Sequence, residues 1–86
     1  MGIPIHTSQN IYSDWNGAYI AYIVSDTTIY HCRATAGTSV SVKGWQIFKQ
    51  VNTASTQRFT WPQDPNGNAS TEFIFIADQY AGYVYV

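Results

Sequence analysis

Charge is scarce in this chain: 10% of its 86 residues are Asp, Glu, Lys or Arg, against about 25% in an average globular domain. The four cations, Arg33, Lys43, Lys49 and Arg58, are spread along the sequence and the net charge is −1. Nucleic-acid binding draws on clustered cations that release counterions, so a nucleic-acid partner is not expected. The single cysteine, Cys32, leaves no internal disulfide, and the domain must hold by packing; an intermolecular bridge is the one cross-link open to it. No apolar run approaches the ~20 residues of a membrane span. The start, Met1 to His6, has neither the basic region nor the apolar core of a signal peptide. It fails as a myristoylation motif as well, because His6 stands where that motif wants Ser or Thr. No membrane association is therefore expected, and the chain reads as made and kept in a cytoplasm or assembled there into something larger.

What the chain has instead is rings. Aromatic residues make up 16% of it, and seven of the fourteen are Tyr. Eighty-six residues give one small core that buries only about 60 to 65% of the unfolded surface. The expectation is a single β domain over 1–86, with 1–9 a loose or partner-pairing N-terminal arm. Oligomerisation or docking would supplement so small a core.

Runs rich in Tyr, Ile, Val, Thr, Phe and Trp alternate with short polar punctuation, and no apolar stripe has helical spacing. Strands are expected around Asn10–Tyr12, over Ala18–Val24 and over Thr27–Ala34. The first two are joined by a tight turn at Asp14–Gly17, the last two by one at Ser25-Asp26. Ala36-Gly37 turns the chain into a long strand region, Ser39–Val51. Its apolar phase slips from even positions (Val40, Val42) to odd ones (Trp45, Ile47), which places a β-bulge at Lys43-Gly44; two short strands are the alternative. Gln57–Trp61 follows. Pro62–Asn68 reads as the longest loop, since prolines lack donors and Asn66-Gly67 favours turning. Phe73–Ala77, apolar on both faces, is the expected central strand, and Gly82–Val86 closes the chain. About seven short strands at this spacing predict an all-β fold, a small antiparallel sandwich or partly open barrel.

The residues offer little for catalysis. His6 and His31 are the two near-neutral bases, and His31 cannot meet its neighbour Cys32 because successive strand residues point to opposite faces. One cysteine and two histidines 25 positions apart match no zinc spacing. Asp64, Asn66 and Asn68 alternate as in a calcium loop, yet Ala69 stands where its glycine belongs and Phe75 where its closing Glu belongs; turn chemistry explains them better. The carboxylates Asp14, Asp26, Asp64, Glu72 and Asp78 fall in or beside turns, where they suit solvated acceptors rather than opposed glycosidase pairs. No catalytic residue, cofactor or metal is expected, and an enzyme is not. The rings exceed what one tiny core needs, and Tyr and Trp favour surfaces that are apolar with a wet tip. Trp15, Tyr19, Tyr80, Tyr83 and Tyr85 are therefore the candidate interface or ligand-stacking residues, with Trp15, Tyr83 and Tyr85 expected to be the most exposed.

Gly44-Trp45-Gln46-Ile47-Phe48-Lys49, followed by Phe73-Ile74-Phe75-Ile76-Ala77-Asp78 and a closing Tyr83-Val84-Tyr85, resembles short bacteriophage-encoded virion accessory proteins. Their pattern is a Trp-x-Ile-x-Lys/Arg strand, a polar Asn/Gly loop and a Tyr-rich last strand; the extended stretch Tyr22–Ala34 before Gly37 and Ser39 resembles them too. The likeness spans about half the chain, and the Trp-Asp-x-Arg element common before their last strand is represented here by Ile76 to Tyr80. It implies a non-enzymatic virion component, on the capsid or the tail and fibre apparatus, made in the host cytoplasm and partnered by other virion proteins and by copies of itself. The alternative is a carbohydrate-binding module for a host-surface glycan, using Trp15 and the Pro62–Asn68 loop.

Overall fold

A computed structural model describes residues 16–86; the expected strand around Asn10–Tyr12, the turn residues Asp14 and Trp15, and the 1–9 arm lie outside the described residues. Five strands form one antiparallel sheet: β1 (Ala18–Ser25), β2 (Thr28–Ala34), β3 (Lys43–Asn52), β4 (Gln57–Thr60) and β5 (Phe75–Ile76). Their order is β1-β2-β3-β4, with β5 beside β3. The all-β class holds. Among the described residues there are five strands in one open sheet, in place of about seven in a sandwich or barrel.

Each hairpin follows from local chemistry. Ser25 Oγ accepts from Thr27 N at 3.2 Å in the β1–β2 turn, a hydroxyl-capped reversal. A register shift there falls between Ile23 and Ser25, and it removes Val24 from the inward phase of Ala18, Ile20 and Tyr22, leaving it exposed. Thr38 N donates to Thr35 O across Ala36-Gly37, and Gly37 has φ +89°, as the third residue of a type II turn requires. The bulge falls at Gly44: Lys43 and Trp45 oppose adjacent residues, Ile76 and Phe75, and Gly44 has φ +142°. Before it, Ser39–Val42 is a turn and not a strand, closed by Val42 N to Ser39 O.

The Pro62–Asn68 segment is more regular than its prolines suggest. Gly67 N donates to Asp64 O, Asp64 N to Asn68 O, and Gly67 has φ +84°, which is a type I turn closed by a glycine bulge. Pro62 is buried and keeps its place because only its carbonyl is needed: Ser70 N donates to it at 2.9 Å.

The core lies on one face of the sheet, where Cys32, Ala34, Trp45, Ile47, Phe75 and Ala77 are buried. Burial pushes the Cys32 thiol up to about 12. The C-terminal segment covers this face: 3-10 turns over Ala77–Gly82, kinked at Gln79 (φ −102°, ψ 17°), then Val84–Val86 paired with Trp61–Gln63. Phe73–Ala77 is thus not a central strand. Two of its residues pair, with the half of β3 that β4 leaves open, while Phe73 and Ile74 are exposed. Upstream, the Gln46 amide donates to Thr71 O at 2.7 Å and Arg33 lies over the Phe73 ring at 5.7 Å, holding that stretch to the other face.

Candidate functional site

Strand pairing sorts the polar and aromatic residues onto two surfaces. Ala21 opposes His31, which opposes Phe48 across β2 and β3, while Tyr19 opposes Arg33, and Gln50 opposes Phe59. On this face, away from the core, Tyr19 Oη meets His31 Nδ1 at 2.5 Å. His31 Nε2 meets Gln50 Oε1 at 2.7 Å, and the Gln50 amide donates to Asn52 Oδ1 at 2.9 Å. Because that carboxamide donates to Asn52, its oxygen is left to accept from Nε2–H. Both ring nitrogens are occupied, and in the neutral ring, which burial favours, Nδ1 accepts from the tyrosine.

Its surroundings reinforce that state. His31 is 4% exposed and stacks on Phe48 at 4.6 Å. Burial holds its pKa below the ordinary value, against a smaller opposing pull from the Gln50 hydrogen bond. Tyr19, pushed up to about 12 by burial and secondarily by Cys32, keeps its proton to donate. Beside this chain, Arg33 Nε donates to Gln46 Oε1 at 2.6 Å. A base whose two nitrogens are bonded within the sheet offers no lone pair to a substrate or a metal. Among the described residues, no three of His, Cys, Asp and Glu gather as a metal set.

The second surface is a tyrosine cluster over the core. Tyr80 stacks on Tyr22 at 4.2 Å and leans on Tyr30 at 4.8 Å, and Tyr85 packs on Tyr30 at 5.3 Å. Lys49 Nζ lies 5.8 Å from the Tyr30 ring centre. Tyr85 Oη donates to Tyr80 O at 2.6 Å; desolvation, with smaller additions from Cys32 and neighbouring tyrosines, raises its pKa steeply. Tyr83 Oη accepts from Ile76 N at 2.9 Å, and its ring meets Phe75 edge-on at 5.0 Å.

The five ring candidates therefore divide. Trp15 lies outside the described residues. Tyr19 is partly exposed on the His31 face, whereas Tyr80, Tyr83 and Tyr85 come together on the core face, half-buried. Much of the apparent ring surplus is internal, and the hydroxyls of Tyr83 and Tyr85 are held by the backbone. What the sequence reading missed is the polar row His31, Gln50, Arg33 and Gln46. Its signal was there in the alternation Gln46, Phe48, Gln50, which puts two amides on one face of a strand whose other face is Trp45 and Ile47.

A shallow open depression of about 280 Å³ lies over the last 3-10 turn, lined by Asp78, Gln79, Ala81, Gly82 and Tyr83. Asp64, the loop carboxylate, is a turn acceptor: its Oδ1 takes Asn66 N at 2.9 Å and Asn68 N at 3.0 Å. No family model, curated protein or solved structure matches this chain.

Proposed function

We propose that this chain is a non-enzymatic structural component of a bacteriophage virion, a small β domain docked on the capsid or the tail and fibre apparatus. The observation that carries the docking is the apolar surface on a nearly uncharged domain. Ile23, Val24, Phe59, Val84 and Val86 are all exposed, Val84 by 62%, and few charges surround them to keep a free monomer solvated. The assignment to a virion rests on the sequence resemblance. His31, closed within its own hydrogen bonds, supports a non-catalytic role. In an assembled particle, an added partner strand together with Val84–Val86 brings the sheet toward the seven-strand, partly open barrel suggested by the sequence.

Mass spectrometry of purified particles tests this, alongside light scattering of the isolated chain. The chain is expected in the particles and associating when free. A stable dilute monomer that is missing from particles refutes the reading.

A second reading, recognition of a host-surface glycan, is favoured by the depression at the last turn, which offers a carboxylate, a carboxamide and a ring edge from Asp78, Gln79 and Tyr83. Sugars are held by such hydrogen-bonding pairs beside a ring. Glycan-array binding that Asp78→Ala and Gln79→Ala abolish supports it; unchanged binding in both variants excludes this site.

A further inference from the structure

We infer that the outer edge of β4 is the docking site for an extended segment of another protein, one that sets a carboxylate opposite Arg58. The inference deepens the docking reading above and rests on it.

The edge follows from hydrogen-bond phase. Asn52 N donates to Thr27 O on the β2 side, and Thr53 N donates to Thr56 O inside the β3–β4 turn. Main-chain groups in a strand alternate in direction, so Asn52 and Gln50 address β2 while Val51 and Lys49 address β4. Their partners there are Arg58 and Thr60. Gln57 and Phe59 consequently turn their N–H and C=O groups outward. Trp61 is next in that outward phase, and it is already paired: Trp61 N donates to Val86 O at 3.2 Å, Val86 N to Trp61 O at 2.9 Å, and Gln63 N to Val84 O at 2.8 Å. The C-terminal segment thus covers the outer edge at 61–63. Beyond it, among the described residues, Gln57 and Phe59 have no backbone partner. Three of the four β4 residues are exposed.

An open edge accepts a strand by extending the ladder, with main-chain bonds giving affinity and alternate side chains giving selectivity. The side chains of β4 settle which strand. Phe59, edge-on to Phe48 at 5.6 Å and 45% exposed, offers an apolar contact on the His31 face. Arg58 is the one charge on the strand and lies on the opposite face. Pairing with a second copy is disfavoured in every antiparallel twofold register. Centred on Phe59, it sets one copy's Trp61 against the other's Gln57, where Val86 already sits. Centred on Arg58, it opposes two guanidinium groups, and like charges directly across a ladder are destabilising. Centred on Gln57, it runs into the Thr53–Thr56 turn. A different chain that spans only Gln57 to Phe59 and carries a carboxylate between apolar or β-branched residues meets none of these three obstacles.

The test uses the full chain and two short capped peptides of alternating threonine and valine, one with a central glutamate and one with lysine in its place. Amide shifts are followed by NMR. The glutamate peptide is expected to move the Gln57 and Phe59 amides more than those of Arg58 and Thr60, and to bind about three- to tenfold tighter than its lysine twin. Phe59→Pro deletes an outward N–H and no β3–β4 bond, so it should abolish binding with the circular dichroism retained. Arg58→Glu should reverse the peptide preference without relying on a proline. Absence of shifts at Gln57 and Phe59, or equal binding of both peptides, overturns the inference. A dimer that Phe59→Pro dissolves would assign the edge to a second copy and overturn it equally. Particle association that persists while the edge stays empty leaves the docking reading standing and removes this one.

Discussion

Lowering the pH from 7.5 to 5.5 is expected to destabilise this domain through His31. The imidazole donates from Nε2 to Gln50, accepts at Nδ1 from Tyr19 and is 4% exposed, an arrangement that suits the neutral ring. Its folded pKa lies below the ordinary 6.5 because burial penalises the cation. The unfolded chain thus binds more protons in this window than the folded one, so stability is complete above 6.5 and falls as the pH drops through that value. If His31 takes up no proton while folded, integration over the window gives a loss of about 1.4 kcal/mol, the upper limit for one site. That is a substantial part of the roughly 5 kcal/mol ordinary for so small a domain.

Urea unfolding followed by tryptophan fluorescence at a series of pH values measures the slope. His31→Phe separates this group from His6 and the carboxylates. It removes the ring's hydrogen bonds to Tyr19 and Gln50, which should cost about 1–3 kcal/mol at pH 7.5, and it should flatten the curve so that variant and wild type converge toward pH 5.5. A variant that keeps the full slope, or a wild type more stable at pH 5.5, refutes the account of a neutral, doubly bonded imidazole.

Three further outcomes follow from single contacts. Gly44→Ala should destabilise by about 1–3 kcal/mol, since φ is +142° and a Cβ would stand 3.4 Å from the Thr38 methyl; an unchanged urea midpoint counts against the bulge. Tyr85→Phe should lose about 0.5–1.5 kcal/mol in the same measurement, because it removes the donor to Tyr80 O. Cys32, fully buried and pushed up to about 12, should resist a thiol-disulfide reagent at pH 8 in the folded chain and react at once in guanidinium; prompt native labelling would place it at the surface instead.

Local signals were legible, and long-range register was not. The turn at Ser25-Asp26 follows from a hydroxyl cap, those at Ala36-Gly37 and Asn66-Gly67 from glycines at positive φ, and the bulge at Gly44 from a slip in apolar phase, each signalled along a few residues. The misreading of Phe73–Ala77 has a different origin. Five consecutive apolar residues indicate burial on two sides, but whether such a run pairs on both edges depends on which edges are free. Here β4 holds β3 from Lys49 onward, and the side chains of Gln46 and Arg33 draw Thr71 and Phe73 toward the other face. Pro62 was misjudged for a related reason: a missing donor matters only where the ladder asks for one. The candidate rings were found as residue types, but only the fold sorts Tyr19 from Tyr80, Tyr83 and Tyr85.

The distribution of tyrosines and edges bears directly on how such a domain could work. The hydroxyls of Tyr83 and Tyr85 meet Ile76 N and Tyr80 O, which anchors both rings where a short C-terminal segment covers one face of the sheet. Among the described residues, the main-chain groups at Gln57 and Phe59, with the Arg58 guanidinium between them, form the edge that we propose for recognition. Backbone recognition tolerates many partner sequences and gains selectivity from the few side chains that alternate along the edge. For a domain this poor in charge, one arginine at such an edge carries disproportionate weight in the proposed docking: like-charge opposition disfavours pairing of this edge with its own copy centred on Arg58, whereas an acidic strand is favoured, and association through other surfaces is untouched by it.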